Sequence, residues 1–149
     1  MSNLKKLCKD LRSGDLICIG SRTYTLEVAD TFFTRFFGLM GRKSLGEDKA
    51  LLIRPCNSIH TFFMRFNMTA VFVDEDMRVI KVVPNMSPCR LAFAPKAYAV
   101  LEFYGDCGSD AKVGDVLSEV FRPQKRSTPS PEETTAPVPK NWQEKICYL

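Results

Sequence analysis

One short segment, residues 54–65, contains the only histidine of the chain and a cysteine four positions before it. A thiolate beside an imidazole can act as a nucleophile, and both side chains are common zinc ligands. Cys56 and His60 are therefore candidates for chemistry, with Cys89 as a third candidate ligand. In one extended strand their Cα atoms would lie roughly 13 Å apart, whereas a turn at Asn57 would let them approach. The spacing leaves open both a joint site and a structural histidine beside an inert thiol.

The cysteine pattern limits the kind of site. Six cysteines are spread over the chain and none forms a Cys-x-x-Cys pair, which argues against a zinc ribbon or a thioredoxin-type motif. The N-terminal stretch lacks the apolar run of a secretory signal, and disulfides need an oxidising compartment. We therefore expect a cytoplasmic protein with free thiols. No stretch approaches the roughly 20 apolar residues of a membrane helix, so no membrane insertion is expected.

The charge pattern argues against a nucleic-acid partner. The formal net charge of +4 comes from 21 basic and 17 acidic residues, and they form no concentrated basic stripe. There is no Gly-rich phosphate loop and no run of carboxylates typical of a metal site. We expect no cofactor, with zinc at Cys56, His60 and Cys89 as the alternative.

The elements that must position these residues are mostly strands. Short apolar or alternating runs predict strands at residues 15–19, 22–28, 50–53, 59–64, 70–73, 78–83, 98–103 and 116–121. Gly20 and Ser21 predict a two-residue hairpin between the first two. The three prolines between residues 84 and 95 predict a long irregular loop. The pattern indicates an α+β, mostly β fold: a compact twisted antiparallel sheet or partly open barrel of about seven strands.

One main helix is predicted over about residues 30–41. Five apolar side chains recur there at helical spacing: Phe32, Phe33, Phe36, Phe37 and Met40. Asp30 or Thr31 can cap its start, and Gly41 can end it. We expect the phenylalanine stripe to pack against the sheet, because so short a helix is marginal without packing.

Three regions follow from the composition. Residues 1–12 read as an N-terminal arm and residues 13–122 as a single globular domain. Residues 123–149 are rich in Pro, Ser and Thr and are predicted to be disordered. Apolar residues return in Trp142–Leu149, which is either a docking peptide, for its own domain or for a protein partner, or an accidental tail.

Polar residues in apolar surroundings add further candidates. The alternation in residues 98–103 predicts a central strand, and because Glu102 follows Leu101 there, its side chain points to the opposite face. An Arg90–Glu102 pair at a sheet edge would be structural as readily as functional. Asp74 begins an acidic run that we expect to form a solvated turn.

An ordered set of motifs resembles the mainly prokaryotic family called domain of unknown function 192, in its Cys-x-x-x-His-Thr variant. The resemblance covers about residues 24–120, and its pieces include Arg35, Gly38-Leu-Met40, Pro55-Cys56, His60-Thr61, Met64-Arg65, Asp74, Pro88-Cys-Arg90, Glu102 and Val113-Gly-Asp-Val116. It implies a compact, mostly β domain without an established activity, and an accessory role linked to pilus or secretion machinery.

The resemblance also implies a site. Its motif positions here are Cys56, His60, Met64, Asp74, Arg90 and Glu102, and Thr61, next to His60 in the same motif, is a further candidate. This chain departs from the variant at Thr69, where an aspartate is usual, and a mechanism that relied on that carboxylate would lose its base or metal ligand.

Three functions remain as hypotheses. The first is a non-enzymatic binding or accessory domain, whose Pro-rich loop and His60 region form a shallow site lined by aromatic side chains and Met64. The second is a metal site or enzyme that uses Cys56 and His60. The third is an interaction module that acts through Trp142–Leu149.

Overall fold

The computed structural model of the protein describes residues 8–117. The helix α1 (Phe32–Phe37) lies between the second and third strands. The strands are β1 (Leu16–Ile19), β2 (Arg22–Ala29), β3 (Lys49–Ile53), β4 (Ser58–His60), β5 (Met68–Val73), β6 (Val79–Met86), β7 (Leu91–Phe93) and β8 (Ala99–Tyr104).

Six strands form one curled, half-barrel sheet in the order β1-β2-β3-β8-β5-β6, and β4 pairs separately with β7. The mostly β fold predicted from the sequence is confirmed. The β1–β2 hairpin turns through Gly20 and Ser21 as predicted, with Gly20 at φ 58°. One pair departs from the antiparallel pattern, because β2 and β3 run parallel. Parallel neighbours need a crossover connection, and the segment that contains α1 supplies it.

β8 is the central strand, as its alternating sequence predicts. It pairs antiparallel with β3 on one side and β5 on the other, and Glu102 lies opposite Leu51 and Ala70. Alternation sends neighbouring side chains to opposite faces. Leu101 accordingly belongs to one buried cluster and Val100 to the other. Glu102 therefore lies on the face that Val100 occupies.

The packed region begins before Ser13. Cys8 and Leu11 are buried in the cluster that contains Leu101. The buried guanidinium of Arg54 donates hydrogen bonds to the carbonyls of Cys8 and of Leu11, the latter at 2.7 Å, and lies 3.8 Å from the Asp30 carboxylate. Arg54 thus fastens residues 8–11 to the end of β3.

The helix differs from its prediction in length and in orientation. Its N-cap is Thr31, whose hydroxyl accepts from the Thr34 N–H, and its C-cap is Gly38 rather than Gly41. Its phenylalanines are exposed: Phe32 68%, Phe33 70%, Phe36 56% and Phe37 55%. The prediction that this stripe packs against the sheet is wrong. The buried apolar side chains on this side of the sheet are others, among them Leu39, Leu45, Ile59 and Met64.

Two further elements differ from the sequence prediction. The strand predicted at residues 59–64 is only the three-residue β4, and the Pro-rich loop contains β7, its partner. Val116 forms an isolated bridge with Arg78 at the expected start of the last strand. The rest of that strand, the tail and Trp142–Leu149 lie outside the described residues. Within the described part of the chain, no helix has the length and apolar character needed to cross a bilayer.

Candidate functional site

A cavity of about 440 Å³ lies between α1 and the strand β4. Its apolar walls come from both elements and the chain around them: Phe32, Phe36, Phe37, Leu39, Met40, Ile53, Ile59 and Met64. Cys56, His60 and Glu102 also line it, so it brings together four of the seven site residues predicted from the sequence. These four come from the segment before β4, from β4 and the loop after it, and from β8.

Glu102 is the buried carboxyl of this cavity. It is 4% exposed, and its Oε2 atom has no hydrogen-bond partner among the described residues. Burial raises the pKa of this carboxyl to about 8, against the opposing effect of the positive charge of Arg42. A carboxyl with that pKa is mostly protonated at neutral pH, so it can donate a hydrogen bond as well as accept one. Gly38 lies beside it, since a Cβ there would be in ordinary van der Waals contact with Oε2, at 3.9 Å.

His60 is the second polar residue of the cavity with a buried atom that lacks a partner within the described part of the chain. It is the last residue of β4, and its ring stacks on Phe62 with centroids 5.3 Å apart. Its Nδ1 atom is buried and has no hydrogen-bond partner among residues 8–117. Buried polar groups are nearly always paired, and leaving one unpaired costs about 1–3 kcal/mol. His60 and Glu102, which both line this mainly apolar cavity, therefore each contain a buried polar atom without a partner among the described residues.

Cys56 is held as a thiol. Its Sγ atom donates to the Ser58 carbonyl at 3.0 Å. Burial raises the pKa of this thiol, and the nearby Glu102 raises it further, whereas the positive charge of Arg35 lowers it. A reactive cysteine needs a lowered pKa. The Cys56 environment therefore disfavours the thiolate that a nucleophilic mechanism would use.

Arg35 is a cavity residue that the site prediction missed. Its guanidinium donates to the Pro55 carbonyl at 3.2 Å and to the Thr31 carbonyl at 3.4 Å. It thereby ties α1 to the segment that carries Cys56. A signal was present, because Arg35 and Gly38 belong to the first block of the family motif.

The other three predicted residues, Thr61, Asp74 and Arg90, are not among those that line the cavity. Thr61 is fully buried and hydrogen-bonds to the loop before β7. Asp74 forms the turn after β5, where its Oδ1 atom accepts from the N–H groups of Asp76 and Arg78, each at 2.9 Å.

Arg90 is exposed and forms no ion pair with Glu102. The Arg90–Glu102 pair considered from the sequence does not form. Glu102 lies in the central strand and faces the cavity, whereas Arg90 lies just before β7 in the separate two-stranded sheet.

Residues 8–117 contain no group of three or more His, Cys, Asp or Glu side chains placed to hold a metal ion. Cys89 is exposed, and its N–H donates to the Thr61 carbonyl at 3.0 Å. Zinc at Cys56, His60 and Cys89 stays a prediction. At Thr69, where the related variant usually has an aspartate, the hydroxyl donates to the Gly105 carbonyl and accepts from the Asn85 N–H.

Residues 16–118 match the model of a family described as uncharacterized ACR, domain of unknown function 192. This match spans well over half of the chain. The chain belongs to domain of unknown function 192. A UPF0127 protein from Thermococcus sibiricus is 29% identical to it over 119 residues, which cover 74% of this chain and 76% of that protein. The resemblance inferred from the motifs is confirmed.

Two solved structures resemble this member of domain of unknown function 192. A protein of unknown function from Novosphingobium aromaticivorans has a TM-score of 0.63 at 23% identity, with 70% of this chain and 83% of that one covered. A protein from Sinorhizobium meliloti, described as a proposed transcription regulator, has a TM-score of 0.61 at 21% identity, with 70% and 90% covered. At these identities the likeness establishes the fold alone.

Proposed function

We propose that this chain is a non-enzymatic binding domain that holds a small, mostly apolar molecule with one polar group in the cavity between α1 and β4. The observation that carries the proposal is that two residues lining an apolar cavity of about 440 Å³ each contain a buried polar atom without a partner in residues 8–117, His60 Nδ1 and Glu102 Oε2. Small-molecule sites commonly combine apolar walls with a few convergent polar groups.

The two polar atoms define what the ligand must offer. A protonated Glu102 donates a hydrogen bond, so the ligand needs an acceptor such as a carbonyl or hydroxyl oxygen. His60 Nδ1 takes either a donor or an acceptor, according to the protonation of its ring. The phenylalanine, leucine and methionine walls stabilise the remainder of the ligand by burial, at about 25 cal/mol for each Å² of apolar surface removed from water.

Binding is favoured over thiol catalysis because of the state of Cys56. Burial and the neighbouring Glu102 raise its pKa, and its proton is engaged by the Ser58 carbonyl. The aspartate that a shared mechanism could use is replaced by Thr69. Zinc binding by Cys56 and His60 is the alternative function, and an experiment can distinguish it from small-molecule binding. Stoichiometric zinc in the purified full-length chain, lost in both Cys56→Ser and His60→Ala, would overturn the binding proposal in favour of a metal site.

Benzamide and toluene test the proposed ligand chemistry, because both carry an aromatic ring and only benzamide adds an amide. We expect benzamide to perturb the NMR signals of His60 and of the Met40 and Met64 methyl groups at lower concentration than toluene does. Glu102→Gln should keep this preference, since it keeps a donor, and Glu102→Leu should abolish it. Met40→Trp should weaken both probes by filling the cavity. Equal binding of the two probes to the wild-type chain contradicts the polar role of Glu102 and His60.

A cytoplasmic location, a link to pilus or secretion machinery and a protein partner for Trp142–Leu149 stay predictions. The proposal depends on none of them.

A further inference from the structure

Most of the exposed large apolar side chains of the described residues lie in three segments of the chain. Ten large apolar side chains are exposed in residues 8–117, and eight of them lie in three segments: residues 31–43, 57–66 and 87–97. Seven of those eight are phenylalanines. We term these three segments the aromatic rim. Monomeric proteins rarely leave apolar side chains clustered in this way unless the cluster contacts something.

The three segments adjoin one another around the mouth of the cavity. The Gly41 N–H approaches the Phe63 carbonyl at 3.4 Å, which joins the first segment to the second. His60 pairs with Leu91 across the β4–β7 ladder, which joins the second to the third. Phe62 stacks on His60, a cavity residue. The exposed phenylalanines therefore belong to neighbouring parts of the surface.

The charge of the aromatic rim is of one sign. Its segments contain six Lys and Arg residues and no Asp or Glu, although the chain has 17 acidic residues. Arg42 is the one cation of the rim that forms an ion pair within the described residues, with Glu27 at 2.8 Å. The rim thus combines exposed aromatic rings with five cations that form no ion pair with a carboxylate of the described residues.

We propose that the aromatic rim docks peripherally onto an anionic lipid bilayer surface. Phenylalanine rings can enter the boundary between headgroups and acyl chains while Lys and Arg side chains reach the lipid phosphates, a combination typical of proteins that lie on membranes without spanning them. Two of the rings best placed to enter are Phe33 on α1 and Phe63 in the loop after β4, which are 70% and 76% exposed. This docking is independent of a ligand in the cavity.

The charge pattern disfavours two other occupants. A two-fold dimer through the rim would set each copy's cations against those of the other copy, because such an interface uses the same patch twice. Trp142–Leu149 contains one Glu and one Lys, so its side chains bring no net negative charge to complement the rim. A single-stranded nucleic acid could also meet rings and cations, but such partners stack on aromatic side chains set along a groove. Here the most exposed rings stand on a helix and on a loop.

Vesicle flotation of the full-length chain tests the proposal. The probes are vesicles of phosphatidylcholine alone and of phosphatidylcholine with about a third phosphatidylserine, each at low and at high salt. We expect binding to the phosphatidylserine vesicles, little binding to phosphatidylcholine alone, and loss at high salt because surface electrostatics are screened.

Two double variants separate the apolar contribution to vesicle binding from the charged contribution. Neither variant replaces a residue that lines the cavity. Phe33→Gln with Phe63→Asn removes two rings, and asparagine suits the φ of 62° at residue 63. Binding should fall by about tenfold or more for each ring lost from the bilayer. Arg65→Gln with Arg90→Gln should lower the partition coefficient roughly 25-fold, about fivefold for each cation.

The matched control is Lys112→Gln with Val113→Gln, which removes an exposed cation and an exposed apolar side chain outside the rim. It should bind vesicles as the wild type does, and all three variants should keep the wild-type melting temperature. Equal binding to both vesicle types, or equal loss in the control variant, overturns the proposal. It is also overturned if the rim variants abolish a concentration-dependent dimer, or binding of a single-stranded oligonucleotide, while vesicle binding is absent.

Discussion

Thr61 and Arg90 are joined by two hydrogen bonds in opposite directions. The Thr61 N–H donates to the Arg90 carbonyl at 2.9 Å, and the Arg90 N–H donates to the Thr61 hydroxyl at 2.9 Å. The same hydroxyl donates to the Ser87 carbonyl at 2.8 Å. A fully buried threonine therefore fastens residues 87–90 to the end of β4, next to the cavity wall at His60.

Replacing this hydroxyl by a methyl group should destabilise the fold. Thr61→Val keeps the shape of the side chain but leaves the Arg90 N–H and the Ser87 carbonyl without their partner, at a cost of about 1–3 kcal/mol in the free energy of unfolding. Urea denaturation measures it. Thr61→Ser keeps the hydroxyl and should lose less. A smaller loss in Thr61→Val than in Thr61→Ser would show that the methyl group, not the hydroxyl, is what the site requires.

The Glu102 carboxyl predicts how stability depends on pH. Its pKa is 4.5 when solvated and about 8 in the fold, so between these values the folded chain binds more protons than the unfolded chain. Stability should therefore fall as pH rises through this window, by at most about 1.4 kcal/mol per pH unit from this group. Denaturant unfolding of wild type and Glu102→Gln across the window isolates the effect. The variant should lack this component and gain relative stability towards the alkaline end. A wild-type curve parallel to that of the variant would mean that Glu102 is ionised in the fold.

The cysteines of the site region should differ in reactivity. Cys56 is half-buried with a raised pKa, whereas Cys89 is exposed. Alkylation proceeds through the thiolate, so iodoacetamide at neutral pH should modify Cys89 well before Cys56. Peptide mass spectrometry over time follows both sites in one sample. Faster labelling of Cys56 would favour the thiol-enzyme hypothesis over the binding domain.

Gly108 should resist substitution more than Gly105 does. Both have positive φ, 76° and 56°, so alanine at either costs about 1–2 kcal/mol in backbone strain. A Cβ at Gly108 would also lie 2.5 Å from the ring of Phe103, whereas nothing lies within 4 Å at Gly105. Phe103 is buried against Tyr24, so overpacking should add roughly 1–3 kcal/mol. Thermal unfolding of Gly108→Ala and Gly105→Ala gives the difference, and equal melting temperatures would mean that Phe103 can move aside.

The sequence correctly predicted the strands and turns whose local residue pattern reflects either side-chain burial or backbone conformation. The alternation in residues 98–103 predicted the central strand, and it also placed Glu102 on the face opposite to Leu101. Gly20 predicted the first hairpin because its backbone conformation is intrinsic to the residue. The phenylalanine stripe misled because helical periodicity states which residues share a face and not where that face points. Leu39 and Ile59 are buried next to the sheet, whereas the phenylalanines of α1 stay more than half exposed, and three of them border the cavity.

Only part of the site could be predicted from the sequence, because the rest depends on how distant elements pack together. Motif positions supplied Cys56, His60, Met64 and Glu102, but the wall formed by α1 depends on a crossover that only the parallel β2–β3 pair reveals. Arg90 resembled a partner for Glu102 because both are charged residues in apolar surroundings. Their separation into different sheets is a tertiary fact that spacing does not encode.

The position of β8 constrains how this protein is made. β3 and β5 both pair with β8 and not with each other, although β8 is the last of the named strands to leave the ribosome. Until residues 99–104 emerge, each of these strands keeps an open edge with hydrogen-bonding groups that a neighbouring chain could capture. Closing the sheet then requires contacts between distant parts of the chain, which is intrinsically slow. The nascent protein should therefore be most vulnerable to aggregation just before its central strand is synthesised.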